Sequence, residues 1–249
     1  MQTFPAEFAD LLNAKGKRLL SGRMPAAAES FRQSLPHYIS LPGIFDVPVA
    51  EACIGVLDRL HYPELKNMTR EIPRNAIWGM KKNYTDQMPK NMRMRTSFLT
   101  SRAELKLGKR SGLLTMMQSA SFRRLAEALT GYRLKDDWDC QLVCYTHGDY
   151  AGPHNDHHPE YSSIQNGFVD LHVMLANDAV SHQWLVYEDH GLMTKIQSIN
   201  LNGAVSAYLL PFWHYTTPLT AKPGREGRAR RWLLLGSFEI DPPLARRPY

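Results

Sequence analysis

After Asp139 the sequence changes to short apolar runs separated by turn-forming residues, and this pattern most constrains the fold. The runs are rich in β-branched, aromatic and leucine residues, and Gly, Pro, Asn and Asp lie between them. They are residues 140–145, 168–175, 183–187, 204–209 and 231–240. Because no long helical pattern intervenes, the runs favour a sandwich or barrel of antiparallel strands.

The first half of the chain has helical rather than strand-like periodicity. Apolar residues recur at helical spacing in segments 7–20, 49–60 and 121–130. Ser121 is expected to cap the last of these helices at its N-terminus, and Gly131 suits the position after its C-terminus. The basic stretch 81–95 is predicted to be a solvated loop, with a surface that faces a substrate or partner as the alternative.

The sequence therefore predicts an α+β fold in one compact unit. We expect a mainly helical N-terminal support region, residues 1–135, packed against a β-sheet core, residues 136–249. A chain of 249 residues with 43% hydrophobic residues is long enough to bury one substantial core.

Charge and cysteine content narrow the class of function. The chain has 30 Lys and Arg against 24 Asp and Glu, and this net charge of +6 favours anionic ligands without requiring nucleic acid. Its 3 cysteines lack metal-site spacing, so we expect reduced thiols in a cytoplasmic protein. We expect neither a signal peptide nor a membrane span.

One segment carries a pattern suited to metal chemistry. His154 and Asp156 follow a Gly-Pro turn on a predicted extended stretch, so both side chains would point to one side of a strand. A histidine with an acid two positions later also occurs at His147 and His158. The first lies in an expected turn and the second is interrupted by proline, so the middle pair is the best placed. His172 is predicted to be a structural residue of the sheet.

A third ligand must come from elsewhere, and His214 follows the predicted strand 204–209 in the segment P-F-W-H-Y. Two imidazoles and one carboxylate on one face of an octahedron suit ferrous iron and leave positions open for other ligands. Arg231 opens the last apolar run, and alternation places Arg228 and Arg230 on the opposite face. The sequence leaves open which of the three binds an anion, or whether they form a solvated basic cluster.

These residues resemble the Fe(II)- and 2-oxoglutarate-dependent dioxygenases, which have a double-stranded β-helix fold (jelly-roll, cupin-like) and an H-x-D…H…R pattern. The resemblance runs over about residues 141–241. The positions that match the catalytic iron ligands are His154, Asp156 and His214. The resemblance also implies that Arg231 binds the distal carboxylate of 2-oxoglutarate and that Tyr145 contacts this co-substrate. Leu233 departs from the family pattern, which often has Ser or Thr there.

The resemblance implies an oxygenase that uses Fe(II), 2-oxoglutarate and O₂ and converts 2-oxoglutarate to succinate and CO₂. Hydroxylation of a small-molecule or peptide substrate is the expected outcome. The sequence identifies neither that substrate nor an oligomeric state. Aromatic residues that could line a pocket, or belong to the core, are Tyr145, Trp184, Phe212, Trp213 and Tyr215.

Three other interpretations remain open from the residues. A cupin-like metal-binding protein would share the fold but would not need an inward arginine. A non-catalytic interaction module would use the basic stretches 81–95 and 224–231 to bind an acidic partner. An oxygenase that acts on nucleic acid or on a protein partner is compatible with the charge, but no nucleic-acid recognition motif is present.

Overall fold

The computed structural model describes residues 3–22, 25–72, 88–156, 167–199 and 203–242. The helices are α1 (Ala14–Leu20), α2 (Pro25–Gln33), α3 (Val47–Val56), α4 (Arg102–Ser111), α5 (Leu113–Met117) and α6 (Ala120–Thr130). Short 3₁₀ or π turns span Phe8–Leu11, Leu57–His61 and Tyr62–Glu64. Among the described helices, none has the length and apolar character that crossing a bilayer requires.

Thirteen strands are described. They are β1 (Tyr38–Leu41), β2 (Lys66–Glu71), β3 (Asn91–Ser97), β4 (Leu134–Thr146), β5 (Tyr150–Ala151), β6 (Phe168–Ala176), β7 (Val180–His182), β8 (Trp184–Asp189), β9 (Leu192–Ser198), β10 (Ala204–Leu209), β11 (His214–Thr216), β12 (Thr220–Ala221) and β13 (Arg230–Ile240). The larger sheet has the order β1-β10-β6-β13-β4-β3-β2, with β5 paired to β3. The smaller groups are β11-β8-β9 and β12-β7, and all pairings are antiparallel.

The two faces of the larger sheet bury two different clusters. On β13, Trp232 and Leu234 pack with the N-terminal helices, where Phe122 and Leu125 of α6 meet them. The neighbouring Leu233 points the other way, into a cluster that also contains side chains of the smaller sheet. This alternation is the two-residue period of a strand. The inward face therefore forms the interior of a double-stranded β-helix, and the helices form a layer outside it.

The α+β class and the double-stranded β-helix with N-terminal helices are confirmed. The first half also contributes strands β1, β2 and β3, which join both edges of the larger sheet. The predicted loop 81–95 is thus part of a strand from Asn91 onward, and residues 81–87 lie outside the described residues. The division at residue 135 stays a prediction.

The helix over 121–130 is confirmed, and it ends before Gly131, whose φ of 71° suits glycine. Its predicted cap is wrong. The Ser119 hydroxyl accepts a hydrogen bond from the Phe122 amide, whereas the Ser121 hydroxyl donates to Glu7. Ser121 therefore ties the helix to the N-terminal segment.

The helical segment predicted over 7–20 is interrupted. Leu12 is extended and pairs with Phe45, and the Asn13 side chain then caps α1 by accepting from the Lys15 and Gly16 amides. An asparagine side chain competes well for free amides at a helix start, so the chain begins a new helix there.

Candidate metal centre

His154 and His214 lie opposite each other on two paired chain segments. Each residue donates its backbone amide to the carbonyl of the other, and both distances are 2.9 Å. The ring centroids are 4.3 Å apart. Both residues are buried, so backbone pairing brings two imidazoles that are remote in sequence to one point.

Each imidazole ring is oriented by a backbone carbonyl two residues earlier in the chain. His154 Nδ1 lies 2.7 Å from the carbonyl oxygen of Gly152, and His214 Nδ1 lies 2.7 Å from that of Phe212. Because a carbonyl oxygen only accepts, each Nδ1 carries the hydrogen. The Nε2 lone pair of each neutral ring is then available as a metal ligand, which is the usual arrangement in metal sites.

Asp156 completes the group. Its Oδ1 lies 3.1 Å from His154 Nε2 and its Oδ2 lies 3.7 Å from His214 Nε2. One ligand atom from each of the three residues lies within 4.8 Å of the others. Asp156 has φ 57°, in the left-handed region, so the prediction that it continues a strand with His154 is wrong. The carboxylate reaches the imidazoles through a turn.

Electrostatics couple the three residues. Burial would lower the pKa of His154, but the charge of Asp156, its hydrogen bond and the Gly152 carbonyl raise that pKa above the ordinary 6.5. Burial lowers the pKa of His214 to about 4, and the charge of His154 adds to this effect. Burial would raise the pKa of Asp156, but the two histidines hold it well below its ordinary value. In the metal-free site the ionised carboxylate of Asp156 thus favours the protonated form of His154 and the two histidines favour the ionised form of Asp156.

The donor set suits ferrous iron. Two imidazole nitrogens and one carboxylate oxygen, all from paired or adjacent segments, form the group that binds Fe(II) in non-haem oxygenases. Among the described residues, this is the one group of three or more potential ligands with such proximity.

Arg231 lies on the inward face of β13, beside the same interior cluster as Leu233. It is 3% exposed, its Nε donates to the Ile199 carbonyl at 2.9 Å, and its Nη1 donates to Gln183 Oε1 at 3.3 Å. Within the described part of the chain, no carboxylate forms an ion pair with it. Burial lowers its pKa to about 10, so the guanidinium remains charged at neutral pH. A buried cation with only neutral partners is suited to bind an anion.

The two competing arginines occupy other environments. Arg230 is half-buried on the opposite face of β13, with its guanidinium carbon 4.0 Å from the centre of the Tyr62 ring. Arg228 is exposed. Alternation along the strand predicts this separation, and only Arg231 of the three points into the interior.

Tyr145 lies next to Arg231 on the neighbouring strand β4, in direct register. Its ring centre is 5.1 Å from the Arg231 guanidinium carbon, and the residue is 5% exposed. Burial raises its pKa to about 12, so the phenol is neutral and can donate a hydrogen bond. Contact of Tyr145 with the co-substrate stays a prediction.

The other histidine–acid pairs do not join the group. Asp149 accepts from the Thr146 amide and hydroxyl at 2.8 and 2.7 Å, and His147 is exposed in this turn. The pair that begins at His158 lies outside the described residues. His172 is hydrogen-bonded inside the sheet, as predicted, through a 2.9 Å contact with Tyr208.

The predicted aromatic residues divide between two environments. Phe212 is buried and its ring stacks on His214 with centroids 5.1 Å apart. Tyr215 follows His214 on β11 and therefore alternates to the other face, and Trp213 directly precedes this strand. Trp184 is 40% exposed, and its ring lies near that of His182, which is not one of the candidate ligands.

Gly152 is a site residue that the sequence marks only as part of a turn. Its carbonyl orients His154, and its amide donates to the Asn91 carbonyl at 3.0 Å. A Cβ added there would overlap the Pro89 carbonyl oxygen and lie 2.7 Å from that of Asn91. Since these are backbone atoms, they cannot move aside without shifting the strand.

We expect Gly152→Ala to destabilise the protein by about 1–3 kcal/mol and to weaken metal binding, because the strand that carries His154 must shift. Thermal unfolding and calorimetric titration with Mn(II) would measure both effects. Gly55→Ala is the control. Gly55 is exposed on a helix, and a Cβ added there would have no described atom within 4 Å. Equal behaviour of the two variants would contradict the prediction.

The fold and the site together define a class: a double-stranded β-helix with two histidines and one carboxylate beside a buried arginine. The chain is similar to an oxidoreductase of the 2OG-Fe(II) oxygenase family from Burkholderia pseudomallei, with a TM-score of 0.53 and 14% identity over 91% of this chain and 94% of that one. It is also similar to a prolyl 4-hydroxylase from Phytophthora capsici, with a TM-score of 0.54 and 14% identity over 96% of this chain and 70% of that one.

A third similar structure is a prolyl hydroxylase from Trichoplax adhaerens in complex with a peptide fragment of the hypoxia inducible factor. Its TM-score is 0.50, with 11% identity over 92% of this chain and 95% of that one. No protein-family model and no curated protein matches the sequence. The chain thus has the fold of 2OG-Fe(II) oxygenases, and the resemblance seen in the sequence is confirmed at the level of the fold.

Proposed function

We propose that the protein is a non-haem Fe(II)- and 2-oxoglutarate-dependent oxygenase that hydroxylates a small-molecule or peptide substrate. The observation that carries this proposal is the convergence of His154, Asp156 and His214 in an interior that also holds the unpaired cation Arg231. When bound, iron with 2-oxoglutarate and O₂ supplies the oxidising chemistry, in which 2-oxoglutarate becomes succinate and CO₂.

The chain's own residues have separable tasks in this proposal. His154 and His214 present Nε2 atoms, and Asp156 adds a negative charge that offsets part of the charge of the metal. Arg231 would bind the distal carboxylate of the co-substrate with two parallel hydrogen bonds, which lysine could not reproduce. Tyr145, beside that guanidinium, would donate its hydroxyl to the same anion.

Apolar side chains pack beside these groups and exclude water from that side. Phe212 stacks on His214, and Leu185, Met174 and Leu233 belong to the same buried cluster. Exclusion of water strengthens the electrostatic contacts with an anionic co-substrate. Leu233 offers no hydroxyl, so Tyr145 and Arg231 would bind the distal carboxylate without help from that position.

The substrate class is less constrained than the co-substrate. Two of the similar structures are prolyl hydroxylases, and one of them holds a peptide, which supports a peptide side chain as one candidate. A small molecule is the other.

A cytoplasmic location stays a prediction from the cysteine usage. The inward Arg231 supports the oxygenase over a cupin-like metal-binding protein, which has no use for a buried guanidinium.

The direct test is conversion of 2-oxoglutarate to succinate in the presence of Fe(II), ascorbate and O₂. We expect succinate to form slowly without a primary substrate and to require both Fe(II) and O₂. Asp156→Ala should lose this activity. Absence of succinate from a protein loaded with iron, together with absence of 2-oxoglutarate binding, would contradict the proposal.

Metal binding should also release a proton. Because the charge of Asp156 and its hydrogen bond raise the pKa of His154 despite burial, the metal-free ring keeps its second proton to a higher pH than an ordinary histidine does. A metal ion must displace the proton on Nε2, so affinity should rise with pH across a range that lies above the ordinary titration range of histidine. Titration calorimetry with Mn(II) in two buffers of different ionisation enthalpy would count the protons, and a count of zero would contradict the pairing of His154 with Asp156.

A further inference from the structure

The Tyr208 hydroxyl connects the carboxylate of the candidate metal centre to a second histidine. It lies 2.9 Å from Asp156 Oδ2 and 2.9 Å from His172 Nε2. Tyr208 is 2% exposed, its ring stacks on Phe212 at 4.5 Å, and the His172 ring meets it edge-on at 4.9 Å. The hydroxyl is therefore held in place by packing on both sides.

The direction of each hydrogen bond follows from the donors available. An ionised carboxylate only accepts, so the single hydroxyl hydrogen of Tyr208 points to Asp156. The hydroxyl oxygen then accepts from His172, which must carry its hydrogen on Nε2. The result is one continuous chain of donors, His172 to Tyr208 to Asp156.

Both donors stand on neighbouring strands of the larger sheet. Tyr208 belongs to β10 and pairs with Asp170 of β6, and His172 follows two residues later on β6. Both therefore share the inward face and keep a constant separation. A side chain of the larger sheet thus contacts the carboxylate of Asp156, which lies in a turn.

Asp156 has a backbone conformation that is disfavoured for a non-glycine residue and persists only where the surroundings hold it. Its φ of 57° lies in the left-handed region, which costs a non-glycine residue about 1 kcal/mol or more. Besides the two candidate ligand histidines, Tyr208 contacts this carboxylate through a hydrogen bond from its hydroxyl.

We propose that Tyr208, oriented by His172, is a positioning residue for the carboxylate ligand. It donates to Oδ2 and leaves Oδ1, which lies beside His154 Nε2, as the oxygen that would bind the metal. This inference rests on the proposed function of the centre and deepens it. The hydroxyl acts through Asp156 and has no contact with substrate in this role.

The test is the Tyr208→Phe variant, which removes the hydroxyl and keeps the ring. We expect its affinity for Mn(II), measured by calorimetry without co-substrate, to fall about 10- to 100-fold, as is typical when a residue that supports a metal ligand is lost. The visible spectrum of the Co(II) form should also change, since that spectrum reports the arrangement of the ligands. A purely structural role would lower the melting temperature and leave both readouts unchanged.

Tyr187→Phe is the matched control. Tyr187 also packs on Phe212, at 5.4 Å, but it comes from the smaller sheet and is half-buried. Removal of its hydroxyl should leave Mn(II) affinity and the Co(II) spectrum as in the unmodified protein.

A second pair of variants tests the role of His172. His172→Gln keeps an N–H that can donate to the Tyr208 oxygen, whereas His172→Leu removes it. We expect His172→Leu to weaken Mn(II) binding by several-fold and His172→Gln to restore most of that loss. This pair decides the question even if Tyr208→Phe does not fold.

The outcomes separate this inference from the proposed function. If the unmodified protein binds no divalent metal, both fail. If it binds metal and Tyr208→Phe shows the same affinity and the same Co(II) spectrum, the positioning role alone is overturned. Equal affinities of His172→Leu and His172→Gln would likewise overturn it.

Discussion

Asp156→Ala is expected to abolish measurable binding of a divalent metal, with a loss of affinity on the order of 100-fold or more. Asp156 is the one anionic member of the group, and its carboxylate lies 3.1 Å from His154 Nε2 and 3.7 Å from His214 Nε2. Without it, two neutral imidazoles would remain in an apolar interior, which binds a dication poorly. Calorimetric titration with Mn(II), which does not oxidise readily, measures the loss.

His147→Ala is the control for this result. His147 begins the same sequence pattern seven residues earlier but is exposed in a turn, and its Nδ1 accepts from the Ala221 amide at 3.2 Å. Its replacement should leave metal affinity unchanged. An Asp156→Ala protein that binds Mn(II) as tightly as His147→Ala does would contradict the assignment of the carboxylate ligand.

Arg231→Met is expected to weaken binding of 2-oxoglutarate about 100-fold, or about 3 kcal/mol, while metal affinity stays the same. Arg231 is 3% exposed, and its guanidinium donates to the neutral Ile199 carbonyl and Gln183 amide. Its burial is unfavourable without an anion, so a methionine of similar length should not reduce the melting temperature of the co-substrate-free protein. Loss of co-substrate affinity without loss of stability is the expected signature of a residue kept for binding.

Arg230→Met provides the matched comparison, because it removes the same charge one residue earlier on the opposite face of β13. Its guanidinium packs on Tyr62, outside the interior. Competition or fluorescence titration with 2-oxoglutarate in the presence of Mn(II) should show unchanged affinity in this variant. If both variants lose affinity equally, long-range charge rather than direct contact would account for the effect.

Much of the site could be predicted because its signals are local. His214 and Arg231 each follow a recognisable strand pattern, and the two-residue period places Arg231 inward and Arg230 outward. Five strands of the second half, β4, β6, β8, β10 and β13, are likewise visible as short apolar runs, whereas β5, β7, β9, β11 and β12 are not. Such patterns depend on residue type and spacing alone, which the sequence displays directly.

Other features depend on contacts between distant segments. Lys66–Glu71 is a strand because it pairs with β3 at the sheet edge, although its residues are mostly exposed and polar. Asp156 takes a left-handed conformation that no spacing rule indicates. Tyr208 approaches Asp156 only because the fold brings β10 to the turn, so nothing in its neighbourhood along the chain marks it as a site residue.

The signal for Gly152 was present but ambiguous. A glycine before proline normally indicates a turn, and here it also allows close approach to the Pro89 and Asn91 carbonyls. The same residue thus serves the turn and the orientation of His154. Only the structure distinguishes these roles.

Anaerobic titration of the metal-free protein with Fe(II) and then 2-oxoglutarate tests the central claim most directly. We expect a weak visible charge-transfer band that saturates at one iron and one 2-oxoglutarate per chain, is absent in Asp156→Ala and requires a higher 2-oxoglutarate concentration in Arg231→Met. No band in the unmodified protein, or an unchanged band in both variants, would contradict the account of these side chains as an iron and 2-oxoglutarate site.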